Sequence, residues 1–162
     1  MTANRSLKEL IRAAVEASGR SYAEIARLCT DFDEVLRKHP RLTSFGMGIY
    51  RGRAASVDER EAKFEHERLA LRDGFPTVVR VYFWLRAEIG MITTPTRGSY
   101  GLKHVAENRI EQYVTNGEFI AAALMVGYPM RDSGGPNPLF AVRQRDVETA
   151  VAAIEAAGRH AI

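Results

Sequence analysis

Residues 99–142 read SYGLKHVAENRIEQYVTNGEFIAAALMVGYPMRDSGGPNPLFAV, and no other stretch limits the possible folds so narrowly. Leu102, Val105, Ala106 and Ile110 recur at helical spacing, which predicts an amphipathic helix over 99–111. Tyr113 and Val114 form a β-prone corner after it. Asn116 is expected to cap the next helix, because its side-chain oxygen can take a free N–H of the following turn. Glu118 then falls where the helix dipole favours an anion. Residues 117–126 are almost wholly apolar, and Gly127 is a natural stop, since glycine turns left-handed without strain. Two strand-like segments, 128–131 and 139–142, flank DSGGPNP, a composition that excludes helix and predicts a loose hairpin loop.

Upstream, helix starts are marked by Ser6-x-x-Glu9, Ser21-x-x-Glu24 and Ser56-x-x-Glu59, each the pattern of a reciprocal cap. Leu7, Leu10, Ile11, Ala14 and Val15 form one apolar stripe, and Tyr22, Ile25, Ala26, Leu28 and Cys29 a second. Asp31 is expected to cap a third short helix that ends at His39-Pro40, because the residue before proline is pushed out of helical geometry. Residues 41–55, with three glycines and three arginines, predict a loop or short extended segment. A charged surface helix is expected over 56–72. The apolar run 77–89 reads as a central core helix, although its first half is also strand-like. Met91, Ile92 and Thr93 suit a short strand. Asp146 is expected to cap a last helix, with Val147, Ala150, Val151 and Ile154 facing inward.

These elements define a mainly α fold: a helical region, 1–73, and a region with winged-helix-like order, 74–162, which together can form one continuous domain. The order over 77–143 is helix, short strand, helix, turn, helix, strand, loop, strand. In a winged helix–turn–helix the second helix of the pair, here 117–127, enters the DNA major groove and the hairpin loop forms the wing. That assignment makes Arg97, Lys103, Arg109, Arg131, Arg143 and Arg145 candidate phosphate contacts, which set position but not sequence preference. Arg51 and Arg53 join them from the arginine-rich 41–55 segment, where Phe45 and Tyr50 could stack on exposed bases. However, 117–127 carries no Arg, Lys, Asn or Gln to read base edges. Its Ala121, Ala122 and Met125 would instead suit a contact with protein or with a second copy of the chain.

Charge agrees with a weak basic bias. Of 23 basic residues against 20 acidic, the surplus lies within residues 1–55. A single cysteine, Cys29, excludes an internal disulfide and a Cys-rich zinc site. No apolar run is long enough to cross a membrane, and residues 1–20 lack a signal-peptide core, so a cytoplasmic location is expected.

Chemistry is sparsely marked. Ser99 and Lys103 lie one helical turn apart beside His104 and Glu107, so a base-assisted nucleophile can be drawn. Groups side by side on one helix have no third element to build an oxyanion site. Neither a metal-ligand set nor a phosphate-binding glycine loop is present. The expectation is a binding protein without enzymatic activity, cofactor or metal.

Two resemblances bear on context. SYAEIARL, residues 21–28, resembles the first helix of bacterial repressor-like motifs, with Cys29-Thr30-Asp31 in place of their glycine-centred turn. SYGLKH…YVTNGEFIAAAL…GY, within 98–142, resembles small uncharacterised proteins encoded on bacterial plasmids and prophages. It implies no activity. It does imply a mobile-element setting, which suits a DNA-binding accessory or regulatory protein, or alternatively a protein-interaction module or inhibitor that docks on a host complex.

Overall fold

Serine caps fix where the helices of the N-terminal half begin. The computed structural model describes residues 4–49 and 56–158. Ser6 Oγ accepts the Glu9 N–H at 3.2 Å and the Glu9 carboxylate accepts the Ser6 N–H at 2.9 Å, starting α1 (Leu7–Ser18), which stops at left-handed Gly19. Ser21 starts α2 (Tyr22–Lys38) by accepting only the Glu24 N–H. No break occurs at Asp31. Ile25, Leu28, Phe32, Val35 and Leu36 continue one buried stripe, so α2 runs through as a single helix. Then β1 (Leu42–Thr43) pairs antiparallel with β2 (Gly46–Met47).

Both halves of the Ser56/Glu59 cap are made at the start of α3 (Val57–Asp73), and α4 (Phe75–Glu88) follows with proline in its first turn. The strand-like first half of α4 is helical because Val78, Val81, Tyr82 and Leu85 all reach the core from one side. The remaining elements are β3 (Arg97–Gly98), α5 (Ser99–Ile110), α6 (Asn116–Val126), β4 (Met130–Arg131), β5 (Leu139–Phe140) and α7 (Gln144–Ala156). Met91 makes only an isolated bridge to Val142. Thr115, not Asn116, caps α6: its hydroxyl accepts the Glu118 N–H at 3.1 Å, and Glu118 returns to the Thr115 N–H at 2.8 Å. Asp146 lies inside α7, where its carboxylate accepts the Gly90 N–H at 2.7 Å.

The result is mainly α-helical, with two small open sheets. The second is antiparallel in the order β3-β5-β4. At the centre α4 packs along α6, flanked by α1, α2 and α5, with α7 against α5. Helices from both 1–73 and 74–162 contribute to this one core. Phe119, Ile120, Ala121, Ala122 and Ala123 are fully buried. A helix apolar on every side belongs inside the protein, and α6 is that helix. Among the described residues, no helix is long and apolar enough to cross a membrane.

Candidate functional site

Burial removes several of the expected contact residues from the surface. Ala121 and Ala122 are 0% exposed, so they form no docking face in this structure; Met125 is half-buried at the end of α6. Lys103 is 5% exposed and bonded within the protein, so little of its charge is offered to solvent. Arg109 is bound by the Glu88 carboxylate, Arg97 donates to Gln144 at 3.0 Å, and Arg143 pairs with Asp146 at 3.7 Å. Arg131 and Arg145 are exposed. Arg97 is in register with Phe140, and Arg131 with Leu139. Successive strand positions point to opposite faces, so the two arginines do not share a surface. Arg51 and Arg53 lie outside the described residues.

What the structure does bring together is a polar cluster at the α5–α6 corner. Lys103 Nζ donates to Glu107 Oε1 at 2.7 Å and to the Val114 carbonyl at 3.0 Å, while the Val114 N–H donates to Glu107 Oε1 at 3.2 Å. His104 Nδ1 lies 2.9 Å from Glu107 Oε2. The turn between the helices begins at Glu111, which takes the left-handed conformation with φ 55°. Its far side is held to α4, since Arg80 donates to the Ile110 carbonyl at 2.9 Å and Gln112 Nε2 to Thr77 Oγ1 at 2.7 Å. The turn presents Tyr113, 73% exposed, with the Lys103 ammonium 4.8 Å from its ring centroid. Tyr100, 54% exposed, is 5.7 Å from the same ammonium.

Tyr113 and Lys103 therefore stand between two clefts. One, of about 490 Å³, is bounded by His104, Glu107, Asn108 and Glu111. The other, of about 480 Å³, lies among Tyr100, the β1–β2 turn at Ser44 and Phe45, Glu67 of α3, Asn116 of α6, and Pro136 and Asn137 of the hairpin loop. Close packing builds its walls. A Cβ on Gly117 would fall 1.8 Å from the Thr43 carbonyl oxygen, and one on Gly46 2.4 Å from that of Pro136, so glycine at both positions lets the β1–β2 turn press against α6 and the loop. Asn116 Nδ2 ties the same parts together, donating to Phe45 O at 3.1 Å, Pro136 O at 3.3 Å and Asn137 Oδ1 at 2.8 Å.

Two carboxylates near the α5–α6 corner are perturbed in opposite directions. Burial pushes Glu107 up, but hydrogen bonds from Lys103 and the Val114 N–H, with the Lys103 charge, hold it below the usual carboxylate range. Burial pushes Glu118 up to about 7, against the Thr115 hydrogen bonds and the Lys103 charge. Ser99 is fully buried and its Oγ has no hydrogen-bond partner, so neither Lys103 nor His104 is placed to activate it. Among the described residues, no group of three or more His, Cys, Asp and Glu could hold a metal ion.

Of these cleft residues, Lys103, Tyr113 and Phe45 stand out in the sequence and Asn116 reads only as a cap, whereas Tyr100, Glu67, Pro136 and Asn137 carry no such mark. The Asn-Gly pair opening α6 was the available signal for a close approach. No family model, curated protein or solved structure matches the chain.

Proposed function

We propose that the protein is a non-enzymatic nucleic-acid-binding protein that takes single-stranded segments at the cleft beside Lys103. The observation that carries this reading is the pair of exposed tyrosines flanking one fixed ammonium. Aromatic rings left in water at the rim of a cleft are stacking platforms for bases, every one of which has a π face.

The winged-helix reading of the C-terminal region belongs to the same proposal. The order α4, β3, α5, α6, β4, β5, with β5 between its two neighbours, supports it. Because α6 is buried, recognition passes from the helix to the hairpin loop, whose Pro136 and Asn137 wall the cleft. An accessory or regulatory role on a mobile element rests on the resemblance of residues 98–142.

The test is fluorescence anisotropy with a labelled strand and the corresponding duplex, at low and moderate salt. The single strand is expected to bind more tightly, and Tyr113→Ala to weaken it about tenfold. With one, already paired, cation at the cleft, the slope of log K against log salt should be about −1 or shallower. Preference for duplex with a steep slope unaffected by Tyr113→Ala would transfer binding to the exposed arginines. Retention of neither nucleic acid would sink the reading and leave a polypeptide as the occupant.

A further inference from the structure

Asn116 is followed by Gly117, the one Asn-Gly pair in the chain. Glycine has no side chain to shield its backbone nitrogen, so an asparagine before it is the most prone to lose its side-chain amide to attack by that nitrogen. The other three asparagines are protected by their neighbours: Asn4 and Asn108 precede arginine, and Asn137 precedes proline, which has no N–H to give up. In the folded protein both reacting groups of the pair are engaged. The Gly117 N–H donates to the Ser44 carbonyl at 3.0 Å. Asn116 is 6% exposed, and its Nδ2 donates to Phe45 O at 3.1 Å, Pro136 O at 3.3 Å and Asn137 Oδ1 at 2.8 Å. Two of these four acceptors, Ser44 O and Phe45 O, belong to the β1–β2 turn, so the turn that walls the cleft also shields the pair.

We infer that Asn116 is a latent deamidation site, shielded by the docked β1–β2 turn, and that its conversion undocks the turn and opens the cleft irreversibly. When the turn lifts, the Gly117 nitrogen loses its acceptor and attacks Cγ of Asn116. A C–N bond forms, the Cγ–Nδ2 bond breaks, and Nδ2 leaves as ammonia with the proton given up by Gly117. Water then opens the cyclic imide at either carbonyl, leaving a carboxylate on a normal or an iso-linked backbone. The product cannot remake the same contacts. A carboxylate has no proton to donate, so its oxygens face three acceptors, Phe45 O, Pro136 O and Asn137 Oδ1. Leaving those buried groups unmatched costs more than the lost bonds alone. The dipole of α6 favours an anion in its first turn, but that attraction acts within α6 and does nothing to hold the turn. An iso-linked backbone adds a main-chain atom where a single Cβ on Gly117 would already fall 1.8 Å from Thr43 O. One conversion therefore releases the Ser44–Phe45 wall and the Pro136–Asn137 wall together.

The experiment is peptide mapping by mass spectrometry of the full chain held at mildly alkaline pH, folded and in denaturing urea, with hydrogen exchange read on the folded samples. Asn116 should convert about a hundredfold faster in urea, because conversion in the folded protein waits on local opening. Asn4, Asn108 and Asn137 should keep their amides over the same period. Asn137→Ala removes one of the three acceptors and should speed conversion in the folded protein about fivefold, the worth of one hydrogen bond. Asn116→Asp introduces the carboxylate directly. It should lose protection at the Met47 and Gly117 amides, which donate to Pro136 O and Ser44 O, while the amides of α1 and α4 stay protected. If that variant does not fold, wild-type protein converted by ageing supplies the same comparison. Equal rates in the folded and denatured chain, no effect of Asn137→Ala, or no conversion in either folded protein overturns the shielding by the turn. Unchanged protection at Met47 and Gly117 after conversion overturns the opening of the cleft.

Discussion

At the scale of single residues, Lys103–Glu107 is the most buried ion pair among the described residues. Both members are largely withdrawn from solvent, and each also binds the backbone of Val114. Removing one partner of such a pair leaves a buried charge without its complement, at a cost of roughly 3–5 kcal/mol, whereas replacing both by neutral groups of similar shape costs far less. Lys103→Met should therefore destabilise strongly in urea unfolding, and Lys103→Met with Glu107→Gln should recover most of the loss. Full additivity of the two substitutions would contradict the pairing. Glu118 behaves in the opposite sense. Its folded pKa, about 7, lies above the ordinary 4.5, so the native state holds a proton that the unfolded chain has released between those values. The resulting stability is fully present below 4.5 and is lost as pH rises through about 7. Glu118→Gln retains an acceptor for the Thr115 N–H and removes the ionisation. The wild type, measured against this variant by urea unfolding, should lose roughly 2–3 kcal/mol of relative stability between pH 5 and pH 8. A constant difference across that range would refute the assignment.

At the scale of elements, glycine placement sets how closely neighbours approach. Gly117 in the first turn of α6 leaves no room for a methyl group, because the Thr43 carbonyl and Ser44 Cα occupy that space. Gly101→Ala in α5 meets nothing within 4 Å. Gly117→Ala should cost about 3 kcal/mol through displacement of the β1–β2 turn, and Gly101→Ala should stabilise by about 0.5–1 kcal/mol through helix propensity. Thermal melts of the two variants moving in the same direction would contradict this packing.

Element existence was legible in the sequence wherever local chemistry decides it. The serine caps at Ser6, Ser21 and Ser56, the stop at Gly127 and the all-round apolarity of 117–126 each correspond to the observed helices. Asp31 misled because an N-cap residue type was read without weighing the buried stripe that continues through Phe32. Asp146 misled because its real partner, Gly90, is 56 residues away, and no local pattern shows that. The apolarity of 117–126 pointed in two directions. It supported the helix, and by itself it argued against exposing Ala121 and Ala122 on a surface.

At the scale of the whole molecule, the site was the least legible part, because it is assembled from segments distant in sequence. The β1–β2 turn, α3 and the hairpin loop each supply a residue or two to a cleft otherwise lined by α5, the α5–α6 corner and Asn116. Only the packing of β1–β2 on α6 and of the loop on Asn116 makes them neighbours. Basicity alone marks Lys103 as a candidate contact in the sequence. Its actual setting, bonded to Glu107 and flanked by two tyrosines, depends on the turn closing back over α5. The arginines that are candidate phosphate contacts in the sequence are distributed among ion pairs and opposite sheet faces.

The location of binding is the central claim, and amide chemical-shift mapping during titration with a short single strand tests it most directly. The account predicts that shifts concentrate at Ser44, Phe45, Glu67, Lys103, Tyr113 and Asn137. Shifts confined to Arg131, Arg143 and Arg145, or none at saturating strand, would contradict it.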